Sequence, residues 1–370
     1  ISGLYIDRSD TNDVGLFGNT SQTATIKHIT LDEVNVTGNN SVGALAGAFS
    51  GGKIVSASAS GQVSGEDMIG GLVGTVTEGN VTDSTASGAV NADGDTAGGL
   101  VGQIERGNVI TSSATGDVMA SHKLAGGLVG NLSSGAIVNS YATSDVNVTE
   151  KSGNPNDGNI AGGLVGELNG SVTGSYARGT VTGTGQSIGG LVGRSYTGSN
   201  TVTIDTSNAT GQVNGTAGIG GLVGKTIGPS PTHISNSWAS WSVNSTGSVV
   251  GFGTSSGAGG LVGEFAGSGN ITASNASGTV SGTEKQVGGL VGDNRGGLIT
   301  DSNASGTVSG NGKQVGGLVG VNQGGLITAS NASGAVTGKS HTGGLVGEVD
   351  QSGSISTSSA SGTVKGTDNV

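Results

Sequence analysis

Apolar residues in this chain fall into one recurring phrase. Gly-Gly-Leu-Val-Gly stands at Gly70–Gly74 and returns centred on Leu100, Leu128, Leu164, Leu191, Leu222, Leu261, Leu290, Leu318 and Leu345, about 28 residues apart. Looser copies precede it at Val14–Gly18 and Val42–Gly47. A small unit repeated at a near-constant period buries its apolar face only against its own neighbours, so fold and function are properties of the unit and the stack.

The eleventh unit shows the pattern. Val315-Gly-Gly-Leu-Val-Gly320 leads through a polar turn at Gly324-Gly325 to a second run, Ile327 to Val336, closed by Thr337-Gly338. Glycine-bounded runs of β-branched residues with no helical stripe predict strands. Within the second run Ser330, Ala332, Gly334 and Val336 share one face, while Asn331, Ser333 and Ala335 point the other way. Small inward residues predict a thin core whose bulk comes from Leu and Val of the first run. Repeated glycines, each costing about 1 kcal/mol relative to Ala, disfavour a helix, and the unit is too short for a propeller blade of about 40–45 residues. The expected fold is all-β: a parallel β-helix, or β-solenoid, of about twelve coils with 27–29 residues in a regular coil. At about 4.8 Å per coil it makes a rod of roughly 55–60 Å.

Residues 1–370 read as one solenoid domain. Its period lengthens between Leu128 and Leu261, with irregular insertions expected at 150–159, 198–203, 228–232 and 247–257. Insertions in a solenoid loop outward and often carry binding. The chain opens at Ile1 without Met or a leader-like segment and stops inside the pattern, which predicts a piece of a longer protein.

Composition narrows the function classes. Net charge is −11 with only 11% charged residues, and Lys and Arg form no clusters. Nucleic acid is therefore not an expected partner. No apolar run approaches the roughly 18 residues of a membrane span, so no membrane insertion is expected. The absence of cysteine removes disulfides and thiolate metal sites. His28, His122, His233 and His341 are far apart and outside any His-Glu-x-x-His context. No partnered Gly-x-Ser-x-Gly elbow stands out. Asp67, Asp83, Asp93, Asp95, Asp117 and Asp145 read as solvated loop charges scattered over different columns, and the calcium-binding nonapeptide is missing. No catalytic residue, cofactor or metal is expected.

One outward column remains: Ser58, Thr85, Ser113, Tyr141, Tyr176, Asn208, Trp238, Asn275, Asn303, Asn331 and Ser359. Its asparagines can form side-chain ladders. Its large aromatics Tyr141, Tyr176 and Trp238, with Arg178 two residues past Tyr176, are the candidate ligand contacts, since aromatics among polar groups suit carbohydrate or protein. The alternative is that an insertion covers them. Trp241 falls in the inward glycine column and predicts a local distortion. Asn275-Ala-Ser, Asn303-Ala-Ser and Asn331-Ala-Ser have the form of N-glycosylation acceptors, relevant in a eukaryotic or archaeal host.

These units resemble the GLUG-motif repeats, named for a Gly-Leu-hydrophobic-Gly core, and the stretch Ile1-Ser-Gly-Leu-Tyr-Ile6 followed by Val14–Gly18 looks like the usual opening of such an array. The resemblance implies an extracellular or cell-surface protein of adhesin type, without implying catalysis. The expected role is a non-enzymatic, rigid stalk that contacts surface glycans or proteins of other cells. A subunit of an extracellular filament, self-associating through coil ends or sides, and an accessory module of a carbohydrate-active enzyme or peptidase are the alternatives. In circular dichroism the chain is expected to give a β-dominated spectrum; a strongly helical one would refute the fold.

Overall fold

The computed structural model describes residues 1–149, 158–198, 200–247, 257–283, 285–350 and 352–368. Each coil lays down short strands on three faces. In the eleventh, Gln314–Gly316 forms the first face, Val319–Gln323 and Leu326–Thr328 the second, and Asn331–Ala332 and Val336–Gly338 the third. Equivalent strands of successive coils pair in parallel; the first-face sheet has eleven strands and the third-face sheet 23. The ladder runs from Val14↔Val42, through Val42↔Ile69 and Ala97↔Ile69, to Val315↔Thr342. The repeat thus closes into a parallel β-solenoid of about twelve coils.

A single apolar core runs the length of the stack. The phrase leucines from Leu72 to Leu318 are fully buried, with Phe49 and Phe265 the largest buried side chains. On the third face Ser330, Ala332, Gly334 and Val336 are buried, while Asn331 and Ser333 are exposed and Ala335 half-buried. The alternation expected from a strand with one face inward is therefore met.

The phrase glycines serve close stacking and not a left-handed bend. None of its glycines has a left-handed backbone. A Cβ on Gly98 would lie 1.9 Å from the Val101 carbonyl oxygen. On Gly99 it would lie 2.0 Å from the carbonyl of Gly127 in the next coil and 2.8 Å from the Ala114 Cβ across the core. The same collisions recur at Gly289, with the Gly317 carbonyl and Ala304. Room, not dihedral freedom, selects glycine here.

The left-handed bend sits at the corner between second and third faces, mostly on residues other than glycine. Asp83, Thr111, Asn139, Thr206, Asn236, Ala273, Asp301 and Ala329 hold φ between 48° and 50°, with Gly174 the glycine of the series. A left-handed non-glycine residue costs roughly 1–2 kcal/mol. A buried serine follows each of these corners and braces it. The Ser302 hydroxyl donates to the Thr300 carbonyl at 2.8 Å, across the corner, and accepts the Ser274 N–H at 3.2 Å. Ser302 N–H in turn donates to the Ser330 hydroxyl at 3.2 Å. The ladder continues through Ser112, Ser140, Ser175 and Ser207 in the same geometry.

The insertions are narrower than the sequence suggests. Val202 and Thr203 lie in the strand Val202–Asp205, Thr232 opens Thr232–Ser235, and Gly257 opens Gly257–Gly259. Pairing with the neighbouring coils claims these residues. Of the expected insertions, 150–157, 199 and 248–256 lie outside the described residues.

Ser302→Ala leaves the buried Ser274 N–H without its acceptor, and the expected loss is about 1–3 kcal/mol. Thermal melting and amide exchange at Ser274 measure it against the exposed control Ser305→Ala. Equal behaviour of the two variants would remove the brace from the account.

Candidate functional site

The outward column forms rung by rung. Ser58 pairs with Thr85, Ser113 with Tyr141, Tyr141 with Tyr176, Tyr176 with Asn208, Asn208 with Trp238, and Trp238 with Asn275. Parallel in-register pairing brings residues 27 to 37 apart into neighbouring positions on the third face, about 4.8 Å from coil to coil. At its far end Asn303 Nδ2 donates to Asn275 Oδ1 and Asn331 Nδ2 to Asn303 Oδ1, both at 3.0 Å. Ser359 Oγ closes the run onto Asn331 Oδ1 at 2.7 Å. The amides of the Asn-Ala-Ser triplets are thus engaged with one another.

Of the candidate contacts, three come together and one stands apart. The rings of Tyr141 and Tyr176 stack 5.0 Å apart and 3° from parallel. The Arg178 guanidinium lies 4.6 Å from the Tyr176 ring centre. Both tyrosines are half-buried, and Tyr176 already has partners in Tyr141 and Arg178. Trp238, two coils further along, is 41% exposed.

Trp241 does not enter the core and is 55% exposed. Its column has no room for an inward indole: a Cβ on Gly211 would lie 1.7 Å from the Gly179 carbonyl, and one on Gly278 1.8 Å from that of Trp241. The small Ser144 is tolerated there.

Four stretches, residues 65–91, 283–309, 311–337 and 338–365, match the family described as "The GLUG motif". Each stretch spans one coil, from the first-face phrase to the third-face run. The chain carries GLUG motifs. Halomucin of Haloquadratum walsbyi is 42% identical over 64 residues, covering 17% of this chain and 1% of halomucin. No solved structure matches the chain.

Charges in the GLUG coils are more ordered than expected. Asp67 accepts the N–H of Asp95, and Asp95 pairs with Lys123 at 2.8 Å. Asp117 accepts the Asp145 N–H at 3.2 Å, and Asp145 accepts that of Thr180 at 2.7 Å. These four aspartates are therefore two stacked pairs and not scattered charges, because a 28-residue separation places the members of each pair in one column. Asp205, at a corner, accepts from Ser235, Asn236 and Thr206, which hold its carboxyl below the usual carboxylate range. Among the described residues no three His, Asp or Glu side chains gather as a metal site.

Sequence reading missed the column that directly follows each phrase. There Glu167, Arg194, Lys225, Glu264 and Asp293 pair in succession. Arg194 binds Glu167. Lys225 Nζ lies 2.9 Å from Glu264, and Arg295 reaches Glu264 at 3.2 Å and Asp293 at 2.8 Å. The Glu264 and Asp293 side chains are 1% and 0% exposed. The available signal was the residue after Gly-Gly-Leu-Val-Gly, which is charged in five consecutive coils. Arg295→Leu removes the cation from the buried Asp293 and leaves Glu264 with Lys225 alone, and is expected to cost about 3–5 kcal/mol. Breaking the exposed Arg106–Glu78 pair is expected to cost less than about 1 kcal/mol. Denaturant melts of the two variants check the difference.

Proposed function

We propose that this chain is a non-enzymatic segment of a secreted or cell-surface adhesin, a rigid stalk whose outer faces contact glycans or proteins of other cells. The observation that carries the reading is the uninterrupted register of about twelve coils with polar outward columns. Such a stack spans distance stiffly, because every coil is hydrogen-bonded to both neighbours and buries its leucines between them. Its sparsely charged outer surface, rich in Ser, Thr and Asn, stays hydrated and presents similar groups at successive steps. The GLUG motifs and the halomucin similarity support a surface-exposed repeat protein. The fold serves here as scaffold and contact surface, and no catalytic role is assigned to it.

The purified chain, immobilised on beads, is expected to retain whole cells or arrayed glycans above the level of an unrelated β-protein. Failure to retain either would overturn the contact role. Release of reducing sugar from a panel of polysaccharides would overturn the non-enzymatic one.

A further inference from the structure

The chain has two tryptophans, and both lie exposed on the third-face stretch of the eighth coil. Trp238 holds the outward column between Asn208 and Asn275. Trp241 stands three residues on, expelled from a column that cannot take an inward indole. Together they concentrate exposed aromatic surface on one coil, where the outward positions of the adjoining coils are the polar Asn208, Thr210, Asn275 and Ser277.

We propose that Trp238 and Trp241 form a stacking platform for an uncharged polysaccharide. This rests on the contact role above and names its ligand class and place. An indole face attracts the C–H face of a pyranose ring, and the flanking amides and hydroxyls can exchange hydrogen bonds with the sugar hydroxyls. A protein partner would favour aromatics set among aliphatic, Met or Arg neighbours, and the four flanking residues are none of these. A polyanionic glycan meets a chain of net charge −11. The carboxylate at the corner of the seventh coil, Asp205, is occupied by three internal donors. The platform therefore differs from the Tyr141–Tyr176–Arg178 group, where stacking and the cation are already satisfied internally.

Because no other tryptophan is present, intrinsic fluorescence of the full chain reads this site directly. Titration with soluble neutral polymers, a β-glucan and a mannan, is compared with alginate, a polymer of uronic acids. Saturable change with a neutral polymer, weakened roughly tenfold or more in Trp238→Ala and in Trp241→Ala, is the expected result. Trp238→Phe is expected to retain part of the affinity, and Tyr141→Ala all of it. Affinity electrophoresis gives the same comparison without relying on the fluorophore, and circular dichroism checks that the variants fold.

Neutral-polymer binding undiminished in both Trp→Ala variants would overturn the platform and leave the adhesin reading intact. Binding confined to alginate would overturn the ligand class. Cell retention without binding of any polysaccharide would overturn the proposal alone, whereas loss of both would overturn the adhesin reading with it.

Discussion

Successive coils approach so closely that, along one column, only glycine fits between them. From Gly71 to Gly317, a Cβ on the second glycine of the phrase would lie about 2 Å from the carbonyl of the same glycine one coil further on, and about 3 Å from an alanine across the core. That spacing is the parallel-strand spacing itself, so widening it would break the backbone ladder that joins the coils. Alanine on the opposing face and leucine at the phrase centre then follow as the volumes that fill a narrow interior. Trp241 marks the same limit in the glycine column of the third face, where Gly211 and Gly278 flank it: that column has no room for an inward indole, and the side chain stands outside.

Close stacking also requires each coil to turn sharply without opening. The second corner achieves this on a left-handed residue that is usually not glycine, and the buried serine after it compensates. One hydroxyl bridges the bend within its own coil and accepts an N–H from the coil before. The bend and the stack are thus held by the same atom, which makes the corner sensitive to loss of a single oxygen. The charged column applies similar logic in the middle of the rod. Glu264 and Asp293 are tolerated in burial because Lys225 and Arg295 reach them from neighbouring positions, although such a network is weak evidence for net stability.

Much of the outer surface was legible because the period converts sequence separation into adjacency. The column from Ser58 to Ser359 could be written down from the repeat, and the pairing reproduces it, including across the lengthened coils between Tyr141 and Tyr176 and between Trp238 and Asn275. The candidate contacts were harder to weigh. Nothing in the spacing of Tyr141, Tyr176 and Arg178 says that they satisfy one another, since stacking depends on side-chain rotamers. Likewise the residue following each phrase is half-buried from Gln103 to Lys225 and buried at Glu264 and Asp293, a difference that the spacing of the phrases does not contain.

By itself the sequence determined the coil, its period, the inward and outward alternation and the identity of each column, because a 28-residue repeat of fixed phrases admits one stacking register. Tertiary structure alone decided which glycines are required by contact and not by dihedral angle, where the left-handed corners fall, and which polar groups are buried. It also decided that Trp241 joins Trp238 outside. These outcomes depend on distances between coils, which the strand spacing sets at a few ångströms and which no single unit contains.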